Sequence, residues 1–262
     1  MQEAGQVPRP RGITRGSSAF VNATARLYLD DDHCVETDAM VVAVRESAIA
    51  FDRTCFYPGG GGQPHDHGWV RIRGGENLEI VSVHADANDT IWHSLRTTPP
   101  GDVVGSPVTL TLDQPRRLAY ARYHTVLHVL NTIALREYGG WITGVQIAVD
   151  YSRIDFKLEG FSAALCAELE KKVNAVLERR STLKSYYLAE EEFRQRDDLL
   201  RTLEAKPPVV EGRVRVVEIE GFDAQACGGT HVRSTGEVGR FSVVRTENKG
   251  KANKRLYVRL DP

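Results

Sequence analysis

Residues 108–130, VTLTLDQPRRLAYARYHTVLHVL, carry the change of pattern that decides the fold. The opening VTLTL alternates apolar residues with threonine, the two-residue period of a half-buried strand. Beyond Asp113 the period changes. Leu118, Ala121, Val126, Val129, Leu130, Ile133 and Ala134 recur at mostly helical spacing, and the run extends over residues 116–138. Gly139-Gly140 then closes it, as glycine does at a helix C-terminus. A β half therefore precedes residue 113, and a half containing helices follows it.

Toward the N-terminus, FVNATARLYL (20–29), SAIAFD (47–52), GWVRIR (68–73), LEIVSVHA (78–85) and DTIWHSL (89–95) are predicted strands. Turn residues separate them, and TTPPGDVVGSP (97–107) belongs to the same half. Many short strands without a helical period predict a small β-barrel over residues 18–112. Toward the C-terminus, residues 161–180 are predicted as a second helix capped by Ser162. Residues 143–149 and 153–158 read as a hairpin, residues 189–203 as a charged helix, and 214–219, 239–247 and 255–260 as strands. Helices against a largely antiparallel sheet make residues 113–262 an α/β sandwich and the chain as a whole α+β.

A length of 262 residues fits one large or two modest domains, and 41% apolar residues suffice for a buried core. Lys plus Arg number 34 against 35 Asp plus Glu, a net charge of −1. That balance excludes a strongly basic nucleic-acid binder, so any such contact rests on local patches. No run approaches ~18 apolar residues, so no transmembrane helix and no membrane partner is expected. MQEAGQVPRPRGITRGSS (1–18) lacks the apolar middle of a secretory signal, and its prolines and glycines oppose an amphipathic transit helix. Residues 1–17 read as a flexible tail. Cys34, Cys55, Cys166 and Cys227 form no CxxC motif, which points to free thiols in a reducing cytoplasm.

Two further patterns bear on chemistry. In the first long helix, His124 and His128 stand four apart, so both imidazoles project from one face. In QACGGTHV (225–232), Cys227 and His231 are also four apart, and Gly228-Gly229 between them allow a tight turn. Either pair alone is as readily an ordinary helix histidine pair, or a core thiol beside a strand histidine. Together they offer an N/S donor set suited to tetrahedral Zn²⁺. The site draws on distant parts of a domain with a core of its own, which favours a metal kept for chemistry.

HTVLH (124–128) with the distant CGGTH (227–231) resembles the zinc-binding editing domain of alanyl-tRNA synthetase and its free-standing relatives, the AlaX family. The likeness extends further. LDQPRRLAYARYHTVLHVL (112–130), SRIDF (152–156) and TGEVGRFSVVRTENKGKANKRLYV (235–258) are similar to the family's approach to its histidine helix, its RFDF strand and its closing strands. DRTCFYPGGGGQPHDHG (52–68) resembles the glycine-rich segment of the longer members. The resemblance implies that His124, His128, Cys227 and His231 ligate zinc. It also implies hydrolysis in trans of mischarged alanine tRNA, chiefly Ser-tRNA(Ala) and in some cases Gly-tRNA(Ala); a monomer is expected.

For substrate, Gly60, Gly61, Gly62 and Gln63 are expected either to form a sharp turn or to reach the amino acid or terminal adenosine. Gly59 stands where relatives often carry glutamate. Val145 stands where some relatives sense serine with a hydroxyl side chain, and valine cannot hydrogen-bond. For tRNA, Arg116, Arg117 and Arg122 flank the histidine helix, and Lys249, Lys251, Lys254 and Arg255 cluster near the C-terminus. These are expected phosphate contacts or a solvated charged face. The other readings are a non-catalytic tRNA-binding module with structural zinc, and editing of Ser-tRNA(Thr).

Overall fold

The computed structural model describes residues 23–72, 75–159, 161–201, 207–250 and 253–261. The expected tail, 1–17, lies outside them. Among the described residues, no helix is long and apolar enough to cross a membrane.

Six antiparallel strands close into a barrel, in the order Glu36–Arg45, Ala48–Phe51, Ile91–Leu95, Asn77–Ala85, Gly68–Ile72 and Pro107–Leu112, the last pairing back with the first. Closure leaves no free sheet edge. Val41, Phe51, Val70, Ile80, Ile91 and Leu110 fill its interior. Glu36–Arg45, the longest strand around the barrel, was not expected. It alternates poorly, with only Ala39 and Val41 fully buried. Of the strand expected at 20–29, residues 20–22 lie outside the described residues, and the rest contains a two-residue strand, Ala25–Arg26, followed by a 3-10 turn, Leu27–Leu29. Its consecutive apolar residues explain the difference: Tyr28 and Leu29 are buried side by side against the barrel core.

Helix α1, Gln114–Tyr138, follows the last barrel strand directly. The Asp113 side chain caps it by accepting from the Arg116 N–H, and Gly139 ends it at a left-handed φ of 63°. Nearly every residue between Tyr120 and Ala134 is buried, so α1 is the central post of the C-terminal half. Ser162 caps α2, Ala163–Leu177, as expected. Both helices pack on a four-stranded antiparallel sheet ordered Arg240–Asn248, Asn253–Asp261, Ser152–Lys157, Trp141–Ile147. In a second sheet, Arg213–Ile219 pairs with Leu183–Ala189 on one side and Asp223–Ala226 on the other. The fold is α+β, a closed barrel followed by a sandwich.

The charged helix expected at 189–203 is replaced by a single turn, Glu190–Phe193, and a 3-10 turn, Asp197–Leu199, with residues 202–206 outside the description. Glu190, Glu191 and Glu192 favour a helix start, but of the described apolar residues that follow only Leu199 is fully buried, and tertiary burial is what sustains a short helix.

Candidate metal centre

The middle of α1 and the loop after Asp223–Ala226 bring His124, His128, Cys227 and His231 together, each offering a donor atom within 4.8 Å of the others. Cys227 Sγ stands 3.5 Å from His124 Nε2 and 3.4 Å from His231 Nε2. A tetrahedron built on Zn–N of about 2.0 Å and Zn–S of about 2.3 Å has edges of about 3.5 Å. The donor set and its spacing fit zinc.

The surrounding hydrogen bonds decide which ring nitrogen faces the centre. Gln63 Oε1 accepts from the Thr230 backbone N–H at 3.1 Å, and Gln63 Nε2 donates to Thr230 Oγ1 at 2.9 Å. A backbone N–H only donates, so the amide orientation is settled by its partner. The same Oε1 lies 2.8 Å from His124 Nδ1, which must therefore carry the proton, leaving Nε2 as the free donor toward Cys227. Thr125 Oγ1, 3.1 Å from His231 Nδ1, can accept in the same way. Gln225 Nε2 donates to the His128 carbonyl at 3.1 Å.

Burial, reinforced by the neighbouring charges, lowers all three imidazoles far below their ordinary range, His128 to about 3, so they are neutral donors at pH 7. Burial pushes the Cys227 thiol up to about 11, partly opposed by the Gly229 N–H. Without a cation this thiol holds its proton, and a metal must displace it.

Space, not a tight turn, explains Gly228-Gly229. Neither occupies the left-handed region. A Cβ at Gly229 would stand 2.5 Å from His124 Nδ1, and one at Gly228 would stand 2.7 Å from Pro208 Cγ. Gly59, Gly60, Gly61 and Gly62 differ: all four have positive φ, 89°, 135°, 57° and 86°. The run is thus a conformational requirement. The loop closes on itself through paired Gly60 and Gln63 hydrogen bonds, and the Gly62 carbonyl accepts from Ile147 N at 2.8 Å. It leans on Val145, whose Cγ1 would be 2.7 Å from a Cβ at Gly62. The expected substrate residues Gly62 and Val145 are therefore neighbours, while Gly60 and Gly61 are exposed. Gln63, expected to face substrate, is 2% exposed and turned inward on His124.

The basic residues divide. Arg117, expected at phosphate, is 3% exposed. Its guanidinium pairs with buried Asp66 and donates to the carbonyls of Asp32 and Cys55. A group so enclosed reaches no phosphate. Arg122 donates to the Val238 and Asp261 carbonyls, and Arg255 forms a bidentate pair with Asp155, both bonds 2.7 Å. Arg116 is half-buried over the Tyr120 ring. Lys249 is exposed and Lys254 half-exposed on the closing hairpin, and Lys251 lies outside the described residues. Sequence reasoning missed Thr125, Thr230, Gln225 and Arg215. Thr125 inside HTVLH, and Thr230 and Gln225 inside QACGGTHV, lay within the quoted motifs, whereas Arg215 carried no local signal.

A closed barrel joined to an α/β sandwich thus brings three histidines and one cysteine, from a helix and a distant loop, into a cluster able to hold a metal ion. Residues 214–257 match the family described as threonyl and alanyl tRNA synthetase second additional domain. The chain is 37% identical over 242 residues to the alanyl-tRNA editing protein AlaX-M of Methanosarcina mazei, covering 90% of this chain and 96% of that protein. It is 34% identical to the AlaX-M protein of Saccharolobus solfataricus over 91% of this chain and all of that one. It is also 37% identical to the alanine–tRNA ligase of Korarchaeum cryptofilum, over 85% of this chain and 24% of the ligase. The chain belongs to the AlaX-M family of alanyl-tRNA editing proteins.

Proposed function

We propose that the protein is a deacylase acting in trans on mischarged alanine tRNA, with seryl and glycyl esters as substrates and zinc held by His124, His128, Cys227 and His231. The observation that carries this reading is the buried cluster of three neutral imidazoles and one thiol at zinc-binding spacing, in a chain whose relatives are editing proteins. Zinc bound there supplies a Lewis acid for orienting the amino or ribose hydroxyl group of the aminoacyl end.

The chain's own residues do the rest. Water attacks the ester carbonyl carbon, the bond to the ribose oxygen breaks, and the products are the free amino acid and the tRNA hydroxyl. Among the described residues, the Gly61 and Gly62 amides carry no backbone hydrogen bond, and this reading assigns them to the developing oxyanion. Val145, pressed against Gly62, offers serine a near-isosteric wall without a hydroxyl, so discrimination between serine and glycine rests on the shape of the loop. Lys249 and Lys254 serve the phosphate backbone.

The test uses zinc-loaded protein with Ser-, Gly- and Ala-charged alanine tRNA, and with Ser-charged threonine tRNA, each with and without chelator. Chelator-sensitive release from Ser- and Gly-charged alanine tRNA is expected, with Ala-charged tRNA spared. Zinc binding without hydrolysis of any charged tRNA would make the protein a binding module with structural zinc. Preferential release from threonine tRNA would move the substrate to the other accessory-domain family.

A further inference from the structure

A buried ion pair between the two halves of the chain holds the loop that bears Cys227. Arg215 lies on the strand Arg213–Ile219, one register step beyond the last pair with Asp223–Ala226, Val216 with Ala226. It therefore faces Cys227. Its backbone carbonyl accepts from Cys227 N at 3.0 Å. Its Nη1 donates to the Cys227 carbonyl at 3.2 Å and the Gly229 carbonyl at 2.9 Å, spanning Gly228. The side chain is 3% exposed, and its counter-charge comes from the segment leading into the barrel: Nη2 donates to Asp32 Oδ1 at 2.9 Å. Asp32 is itself fixed, because its carbonyl accepts from Nη1 of Arg117 on α1 at 3.0 Å, and neighbouring Asp30 accepts from the Tyr187 hydroxyl at 2.8 Å.

A guanidinium buried without a counter-charge would be costly, and it would relax toward solvent. Its two carbonyl contacts lie on either side of Gly228, so that movement would carry Cys227 and Gly229 with it. Gly229 in turn packs on His124. We propose that Asp32 and Arg215 are positioning residues for the metal centre, through which the barrel half sets the place of Cys227. The inference rests on the zinc reading above. Neither residue approaches the donor atoms as a ligand. Arg215 acts through the two loop carbonyls, and Asp32 acts only by holding Arg215.

The experiment compares the full-length protein with Asp32→Asn, Arg215→Lys and the double variant. It measures zinc affinity by competition with a chromophoric chelator, and the visible spectrum after cobalt substitution. Loss of an outer partner typically weakens metal affinity about 10- to 100-fold. Each single variant is expected in that range, with shifted thiolate-to-cobalt absorption. Lysine fails because a single ammonium does not reproduce the fork across both carbonyls. The double variant is expected to lose no more than the weaker single one.

Wild-type affinity and an unchanged cobalt spectrum in Asp32→Asn would overturn the proposal, as would losses that simply add. A merely structural role would lower the melting temperature and leave the cobalt spectrum alone. Should Arg215→Lys not fold, Asp32→Asn carries the decision. A wild-type protein that takes up no zinc would instead defeat the metal reading itself.

Discussion

Replacing Gly229 by alanine tests the geometry of the centre with one methyl group. The added Cβ would lie 2.5 Å from His124 Nδ1 and 2.9 Å from Gln63 Oε1, and closer still to His124 Cε1. Ordinary contact needs about 3.5 Å, so either the ring or the loop must move by about 1 Å. Metal–ligand distances tolerate about 0.2 Å. Movement of the ring also breaks the 2.8 Å bond that fixes its tautomer. Zinc affinity is expected to fall by more than about 100-fold, beyond the usual effect of an outer partner. The zinc-dependent gain in stability should then shrink by about 2.7 kcal/mol at fixed zinc. Overcrowding adds about 1–3 kcal/mol of destabilisation in the zinc-free protein. The assay is chelator competition, with thermal unfolding at matched zinc. Gly228→Ala is the control, since its Cβ would meet Pro208 and no ligand. It should lose stability and keep zinc. Native zinc affinity in Gly229→Ala would refute the account of why this glycine is there.

Arg117→Met should cost about 3–5 kcal/mol of stability, because it strands buried Asp66, while leaving the salt dependence of tRNA binding unchanged in protein that remains folded. Denaturant titration and binding at two salt concentrations check this, and a changed salt slope would return Arg117 to the phosphate. Lys254→Ala should leave stability nearly unchanged and lower the salt slope by about one. Zinc affinity should rise about tenfold per pH unit between pH 6 and 8. Only Cys227, with its thiol raised to about 11, has a proton to displace, since the depressed imidazoles are already neutral. A slope of two or more would mean charged histidines in the zinc-free site. Gln63→Glu retains acceptors for His124 and for Thr230 N, and Thr230 can donate its hydroxyl to the second oxygen. Zinc affinity is expected to rise and zinc-free stability to fall. The opposite pair of results in chelator competition and thermal unfolding would show that charge on this partner does not reach the metal.

The members of the cluster were legible because each pair is local: i, i+4 spacing on a helix puts His124 beside His128 whatever the rest of the chain does. The bounds of α1 were legible within two residues, because the period changes after Asp113, whose carboxylate caps the helix, and because Gly139, lacking a Cβ, takes the left-handed φ that ends it. What makes the pairs one site was not legible. Arg215 sits in a valine-rich strand, and Asp32 in a run of three aspartates, where nothing local marks a partner far along the chain. Arg116 and Arg117 read alike, yet one helical step leaves one half-buried over the Tyr120 ring and turns the other fully inward onto Asp66. Glycine was ambiguous in the same sense. Gly59 to Gly62 are needed for backbone dihedrals, Gly228 and Gly229 for the volume of a missing methyl, and a sequence writes both reasons with the same letter.

The partners of the ring nitrogens are neutral, Gln63 and Thr125, where a carboxylate would serve the same geometry. Zinc with one thiolate carries a net charge of about +1, and carboxylates beside the rings would cancel it and raise ligand basicity. They would also leave uncompensated anions buried whenever the metal is absent. The nearby charged residues follow the same economy: Arg215 is matched by Asp32 and Arg117 by Asp66. With those pairs closed on themselves, the charge of a metal held there would be left to act on what enters beside it. An anionic RNA end is the kind of ligand such a centre attracts. The barrel half contributes one member to three of these arrangements: Gln63 to the His124 ring, Asp32 to Arg215, and Asp66 to Arg117. Its role at the site is therefore to set charge and tautomer.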